Sequence, residues 1–243
     1  EFYTPTPAGF TCGLITANDG NMWFIKSHYS QSQIVKLSVN GQMTEYPIPL
    51  VDNSSNSIHT CSISAGLEGE VWFISNEDDY DDNDRSSYIR RVSSSGSIST
   101  IPFIIPEPSV SGQYSLGLTH IEFLDDNNIW LIAGSTSESP TAYSMILKVD
   151  SNGNILNQRE LIGESPSFDT TTDSSRNTFF LTDNQLIKMP TSGVAENIQL
   201  DEQAWIQASE FLGRGLRSRL NVDQSNNIWF YSVNINTPQF MIT

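Results

Sequence analysis

Three arginines fall within six residues of one another, Arg214, Arg217 and Arg219, in a chain whose formal net charge is −16. A guanidinium offers a planar fork of donors that matches a carboxylate or a phosphate. Arg217 and Arg219 are two apart, so on a strand they share one face. Such a pair suits an anionic small molecule, a peptide carboxylate or a glycan. It equally suits internal salt bridges to Asp169, Glu122 or Glu164. His120 has the side chain that titrates nearest neutrality and is the candidate general base. Asp169 would orient it, and the arginines would hold developing negative charge. Asp169 and Glu122 also form a candidate carboxylate pair for glycoside chemistry.

Two further groups carry chemistry. The run Glu77, Asp78, Asp79, Asp81, Asp82 and Asp84 supplies the oxygen ligands that Ca²⁺ or Mg²⁺ needs, but lacks the Gly and terminal Glu of an EF-hand loop. A solvated acidic loop is its default reading. Cys12 and Cys61 form a disulfide if their strands are neighbours, closing a loop of about 50 residues that stabilises the fold by several kcal/mol. A pair of buried thiols, or a dithiol with His59 as a further ligand, are the other readings.

Composition narrows the partners. Charged residues make up 16% of the 243 residues and the balance is acidic, so the basic footprint of a nucleic-acid binder is missing. No apolar run reaches the ~18 residues of a membrane span. The low Lys content, the polar uncharged surface and the candidate disulfide point to a secreted or periplasmic monomer.

The elements that must position these residues are legible as a repeat. An aromatic or Trp-led pair recurs at Trp23-Phe24, Trp72-Phe73, Trp130-Leu131, Phe179-Phe180 and Trp229-Phe230, at spacings of 49, 58, 49 and 50 residues. Each pair follows a short polar turn, such as Asn18-Asp19-Gly20-Asn21 or Ser174-Ser175-Arg176-Asn177. A second pattern follows each of the first four pairs: aliphatic, any, basic, aliphatic, then Gly four positions on. It reads Ile34-Lys36-Leu37-Gly41, Ile89-Arg91-Val92-Gly96, Ile146-Lys148-Val149-Gly153 and Leu186-Lys188-Met189-Gly193. Alternation marks a strand and Gly supplies the hairpin turn. The Trp and basic residues are expected to serve inter-blade packing and a solvated edge.

Each repeat therefore reads as four strands, the pattern of a propeller blade. The expectation is an all-β, five-bladed β-propeller over residues 1–243 as one domain. The fifth repeat stops at Phe240-Met241-Ile242-Thr243, and the N-terminal strand Phe2–Pro7 would complete it and close the ring. The tight turns share one face. The long links, at 48–58, 75–87, 102–116, 133–143 and 201–216, share the other and would form the working mouth of a central channel. Asp201–Gly213 reads as a short capped helix, with Trp205 as an anchor or lid at that mouth or simply as cover.

Segments such as Asp19-Gly20-Asn21-Met22-Trp23-Phe24 and Gly41-Gln42-Met43-Thr44-Glu45-Tyr46-Pro47-Ile48-Pro49 resemble the streptogramin (virginiamycin B) lyase-like propellers. That resemblance implies a propeller, seven-bladed in the family, that opens a cyclic depsipeptide by Mg²⁺-assisted elimination. The family's His would fall eleven residues before the repeat Trp, where this chain has Cys12, Cys61, Thr119, Phe168 and Ser218. Its Glu would fall three residues after, where this chain has Lys26, Ser75, Ala133, Thr182 and Ser232. The catalytic residues do not carry over. The first expectation is therefore a propeller that binds a small molecule, peptide, glycan or protein at the channel mouth. A diverged lyase or hydrolase is the alternative, and a structural or sensory domain of a longer protein is the third.

Overall fold

The computed structural model describes residues 10–27, 32–51, 57–59, 62–79, 84–109, 116–124, 128–135, 143–163, 166–182, 185–190, 195–198, 217–223 and 225–233. They form antiparallel sheets in chain order. The first repeat contributes β1 (Phe10–Thr16), β2 (Met22–Ser27), β3 (Gln33–Leu37) and β4 (Met43–Pro47). The second contributes β5 (Ser57–His59), β6 (Ile63–Ala65), β7 (Val71–Asp79), β8 (Asp84–Val92) and β9 (Ile98–Ile101), with β5 and β6 both paired to β7. The third has β10 (Leu116–Phe123), β11 (Asn128–Ser135), β12 (Tyr143–Asp150) and β13 (Ile155–Ile162). The fourth has β14 (Pro166–Thr172), β15 (Thr178–Thr182), β16 (Leu186–Met189) and β17 (Glu196–Ile198). The fifth has β18 (Arg217–Val222) and β19 (Ile228–Val233). No α-helix occurs among the described residues. The expected N-terminal closing strand, the strand at Phe240–Thr243 and the helix at Asp201–Gly213 lie outside them.

Each described four-stranded sheet is a simple meander, β1-β2-β3-β4, β10-β11-β12-β13 and β14-β15-β16-β17, as propeller blades are. One backbone hydrogen bond closes the turn before the repeat aromatic in all five repeats. The N–H of Ala17, Gly66, Leu124, Asp173 and Asp223 donates to the carbonyl of Asn21, Glu70, Asn128, Asn177 and Asn227, at 2.7–3.0 Å. The residue before the accepting one has positive φ at Gly20, Gly69, Arg176 and Asn226, the region that Gly and Asn tolerate best. In the fourth and fifth repeats an Asp clamps the turn. The Asp173 carboxylate accepts from the Ser175 and Asn177 N–H groups and the Asn177 side chain, and Asp223 does the same with Ser225 and Asn227.

The repeat Trp and the basic residue face each other across strands. Trp23 pairs with Lys36, Trp72 with Arg91 and Phe179 with Lys188. Lys36, Arg91 and Lys148 sit over the Trp23, Trp72 and Trp130 rings at 5.3, 5.6 and 5.8 Å, close enough for cation–π attraction. The basic residues thus cap the Trp of their own blade, and Arg91, 44% exposed, also belongs to the solvated edge that the sequence suggested. Trp23, Trp72 and Trp130 are fully buried, whereas Trp229 is 38% exposed.

Adjacent repeats lock together at these turns. Tyr46 stacks on Trp23. Gly96, at φ 93°, lies directly against the Tyr46 ring, so any side chain there would collide with it. Lys36 Nζ reaches the Ser94 carbonyl at 2.7 Å. The expected loop at 75–87 is mostly strand: β7 continues to Asp79 and β8 opens at Asp84, with Asp78 opposite Arg85 in the ladder. Backbone pairing overrides the low strand propensity of Asp, Asn and Ser.

The chain divides into two compact units, residues 1–139 with 145–158, and residues 140–144 with 159–243. In the first unit, β1 lies beside β6 and β6 beside β10. In the second, β14 lies beside β18. The first strands of successive repeats are thus neighbours within each unit.

Candidate functional site

The first strands carry residues that differ from repeat to repeat. Ten residues before the repeat Trp stand Gly13, Ser62, His120, Asp169 and Arg219. Three of these strands are irregular near those residues, whereas β18 runs in continuous register through Arg219. The register slips between Cys12 and Ile15 in β1, between Leu118 and His120 in β10, and between Pro166 and Thr170 in β14. A bulge of this kind re-aims side chains and frees backbone groups for other partners.

In the first unit those freed groups are taken by hydroxyls of the neighbouring repeat. The Ile121 N–H donates to Ser62 Oγ (2.9 Å), and the Phe123 N–H donates to Ser64 Oγ (2.8 Å). The Leu118 N–H donates to Ser87 Oγ (3.0 Å), and Asn76 Nδ2 donates to the Leu118 carbonyl (3.0 Å). Ser87 Oγ donates to Asn76 Oδ1, which joins the two (2.6 Å). This bracket fixes β10 against the second repeat and so fixes His120. His120 Nδ1 lies 3.4 Å from Ser62 Oγ. Loss of solvation pushes the imidazole down from 6.5 to about 4, so the ring is neutral at physiological pH. Glu122 is half-buried on the same strand, opposite Trp130.

Ser62 is the residue that the sequence reading missed. Its signal was its register, since it occupies in the second repeat the place that His120 occupies in the third.

A second polar group lies in the same repeat. Arg90 and Glu77 form a fully buried ion pair. Arg90 Nε also donates to Ser75 Oγ (2.6 Å), and the Tyr88 ring lies 5.7 Å from the guanidinium. The Glu77 carboxylate accepts the Val51 N–H with both oxygens, at 3.1 and 3.0 Å. It thereby holds the link between the first two repeats. Burial lowers the Arg90 pKa, and Glu77 raises it in opposition. Glu77 is therefore a core residue of this pair, which corrects its reading as part of an acidic surface loop. In the first repeat Lys26 and Glu45 form a comparable buried pair at 2.6 Å.

The structure puts the other predicted residues as follows. Arg217 and Arg219 stand on β18, opposite Val233 and Tyr231. Asp169 stands on β14, the strand beside β18. Arg214 and Trp205 lie outside the described residues, as do Asp81 and Asp82. Asp78 and Asp79 end β7 and Asp84 opens β8. Among the described residues, no cluster of three or more His, Cys, Asp or Glu side chains could hold a metal ion. Cys12 is half-buried on β1 and is not a free cysteine; Cys61 lies outside the described residues. Among the described residues, no helix is long and apolar enough to cross a membrane.

No family model matches the sequence, and no curated protein matches it. Solved structures do. A catalytically inactive variant of virginiamycin B lyase from Staphylococcus aureus, with quinupristin, matches over 98% of this chain and 71% of that one, at 18% identity and a TM-score of 0.54. A puromycin hydrolase mutant matches over 98% of this chain and 39% of that one, at 14% identity and a TM-score of 0.56. A polysaccharide lyase matches over 93% of this chain and 55% of that one, at 7% identity and a TM-score of 0.54. This chain spans well under two thirds of the length of the last two. At these identities the likeness is one of fold, and it agrees with the meander blades and the repeated turns: the chain has the fold of a β-propeller, as those structures do.

Proposed function

We propose that this propeller is a binding module that takes an anionic small molecule, peptide or glycan at the first strands of its repeats, with Arg217 and Arg219 as anchors. One observation carries the reading. β18, the first strand of the fifth repeat, lies beside β14, and Arg219 and Asp169 hold the same place in the sequence of their repeats, ten residues before Trp229 and Phe179 of an acidic chain. Guanidinium groups two residues apart on one strand suit a bidentate carboxylate or phosphate. Trp205 would complete the surroundings at the mouth, with a divalent cation as an optional partner. The same reading has five blades closed by the N-terminal strand, a Cys12–Cys61 disulfide and a secreted monomer. The disulfide is supported by the equivalent positions of the two residues and by Cys12 not being a free thiol.

The test is calorimetric titration with citrate, glucuronate and inorganic phosphate. Arg217→Ala combined with Arg219→Ala should weaken whichever of these binds by about tenfold or more, with the melting temperature little changed. Unchanged affinity in the double variant would overturn the anchor assignment. A hydrolase or diverged lyase is the second reading, favoured by the neutral imidazole of His120 beside a hydroxyl.

A further inference from the structure

We infer that Ser62 and His120 form a nucleophile–base pair able to accept an acyl group from a small ester or lactone. This deepens the hydrolase reading and is independent of the arginine anchors. Three observations carry it. Ser62 Oγ and His120 Nδ1 lie 3.4 Å apart across two repeats, a looser approach than a formed hydrogen bond and one that such pairs commonly tighten when substrate arrives. The Ile121 N–H already donates to Ser62 Oγ at 2.9 Å. That bond orients the oxygen and leaves its own proton for the imidazole. The third observation is accessibility. Both residues are partly exposed. The matching place on β1, the strand beside β6, is Gly13. Leu14 beside it is 62% exposed on that first strand, an apolar contact for an acyl chain.

Ser64 supplies the internal comparison. It stands two residues along, and its Oγ accepts the Phe123 N–H in the same way, but it is buried and has Glu122 where Ser62 has His120 at the same register. Bracing β10 is common to both serines, whereas the imidazole belongs to Ser62. In the reaction the Ser62 Oγ–C bond forms as the Oγ proton passes to His120 Nδ1. The C–O bond to the leaving alkoxide then breaks, and the alkoxide takes that proton. Water, deprotonated by the same nitrogen, attacks the acyl carbon and restores the Ser62 hydroxyl.

The experiment uses the full chain with a fluorophosphonate probe, which forms an Oγ–P bond and expels fluoride, and with p-nitrophenyl acetate as the small ester. Peptide mass spectrometry should locate the phosphonyl group on Ser62. Ser62→Ala should abolish labelling. His120→Gln should slow both labelling and ester turnover by about a hundredfold while the circular dichroism spectrum and melting temperature stay close to those of the parent. Ser64→Ala should label as the parent does. Labelling no faster than on heat-unfolded protein, labelling at another residue, or His120→Gln reacting at the parental rate would each overturn the assignment. Arg217→Ala with Arg219→Ala should leave the labelling rate unchanged, so failure of the binding reading and failure of this one are told apart.

Discussion

The two ends of a repeat behave differently. At the turn end, one backbone hydrogen bond recurs five times, and a basic residue sits over the repeat Trp in three successive blades. Along the first strand, Gly13, Ser62, His120, Asp169 and Arg219 occupy one register with five different side chains. What recurs is what any blade needs in order to form and to pack. What does not recur is free of that duty, and it is where titratable and nucleophilic groups have collected. The buried Arg90–Glu77 pair follows the same division, since Val35, Leu147 and Ile187 hold the place of Arg90 in the first, third and fourth repeats.

This contrast is open to experiment. The largest effect is expected at the repeated end. Trp72→Ala should cost about 3–5 kcal/mol in urea denaturation, the usual loss for a fully buried large aromatic. Trp229→Ala should cost about 1 kcal/mol, because that ring is already 38% exposed. Equal losses would show that exposure at the fifth repeat has no energetic meaning. Next comes the unrepeated pair. Arg90→Ala leaves the Glu77 charge buried beside the Val51 N–H and should cost about 3–5 kcal/mol by the same measurement; Glu77→Gln combined with Arg90→Met should recover much of it. A third effect follows from pH. His120 has a folded-state pKa of about 4 against 6.5 in the unfolded chain, so folding favours the neutral ring. Its contribution is complete above pH 6.5 and is lost as pH falls from there towards 4. The loss should be about 2–4 kcal/mol, and it should be absent in His120→Gln. The smallest effect belongs to a single turn. Asp173→Ala removes the acceptor for two backbone N–H groups and should cost about 1 kcal/mol in a thermal melt. Asp223, held down to about 2 by the Asn227 and Trp229 side chains, should keep its turn intact well into acid, as the Trp229 indole N–H resonance would report.

The repeated end was legible in the sequence because its signals are local. Turn residues, alternation and a Trp at near-constant spacing marked the second and third strands of four blades and the glycines that end them. Charge was less informative. The run from Glu77 to Asp84 has the composition of a loop, yet alternation along β7 turns Glu77 inwards to Arg90. Ladder pairing over nine residues each of β7 and β8 outweighs weak propensity. The candidate site was half legible. His120 stood out by its chemistry and Arg219 by its sign, but Ser62 is one Ser among many. It acquires meaning through the packing of β6 beside β10, a long-range contact that no local pattern encodes. The same logic made Cys12 and Cys61 comparable before either had a partner.

Within the first unit the first strands of adjacent repeats bring Ser62 and His120 together, and His120 reports on that directly. A pH titration by ¹⁵N–¹H correlation NMR, with His28→Gln and His59→Gln to assign the signals, should show the His120 ring neutral down to about pH 4 and its Nδ1 shift moving on Ser62→Ala. A ring that titrates near 6.5 and is unaffected by Ser62→Ala would mean that His120 lies in water, away from Ser62, and the arrangement described would be wrong.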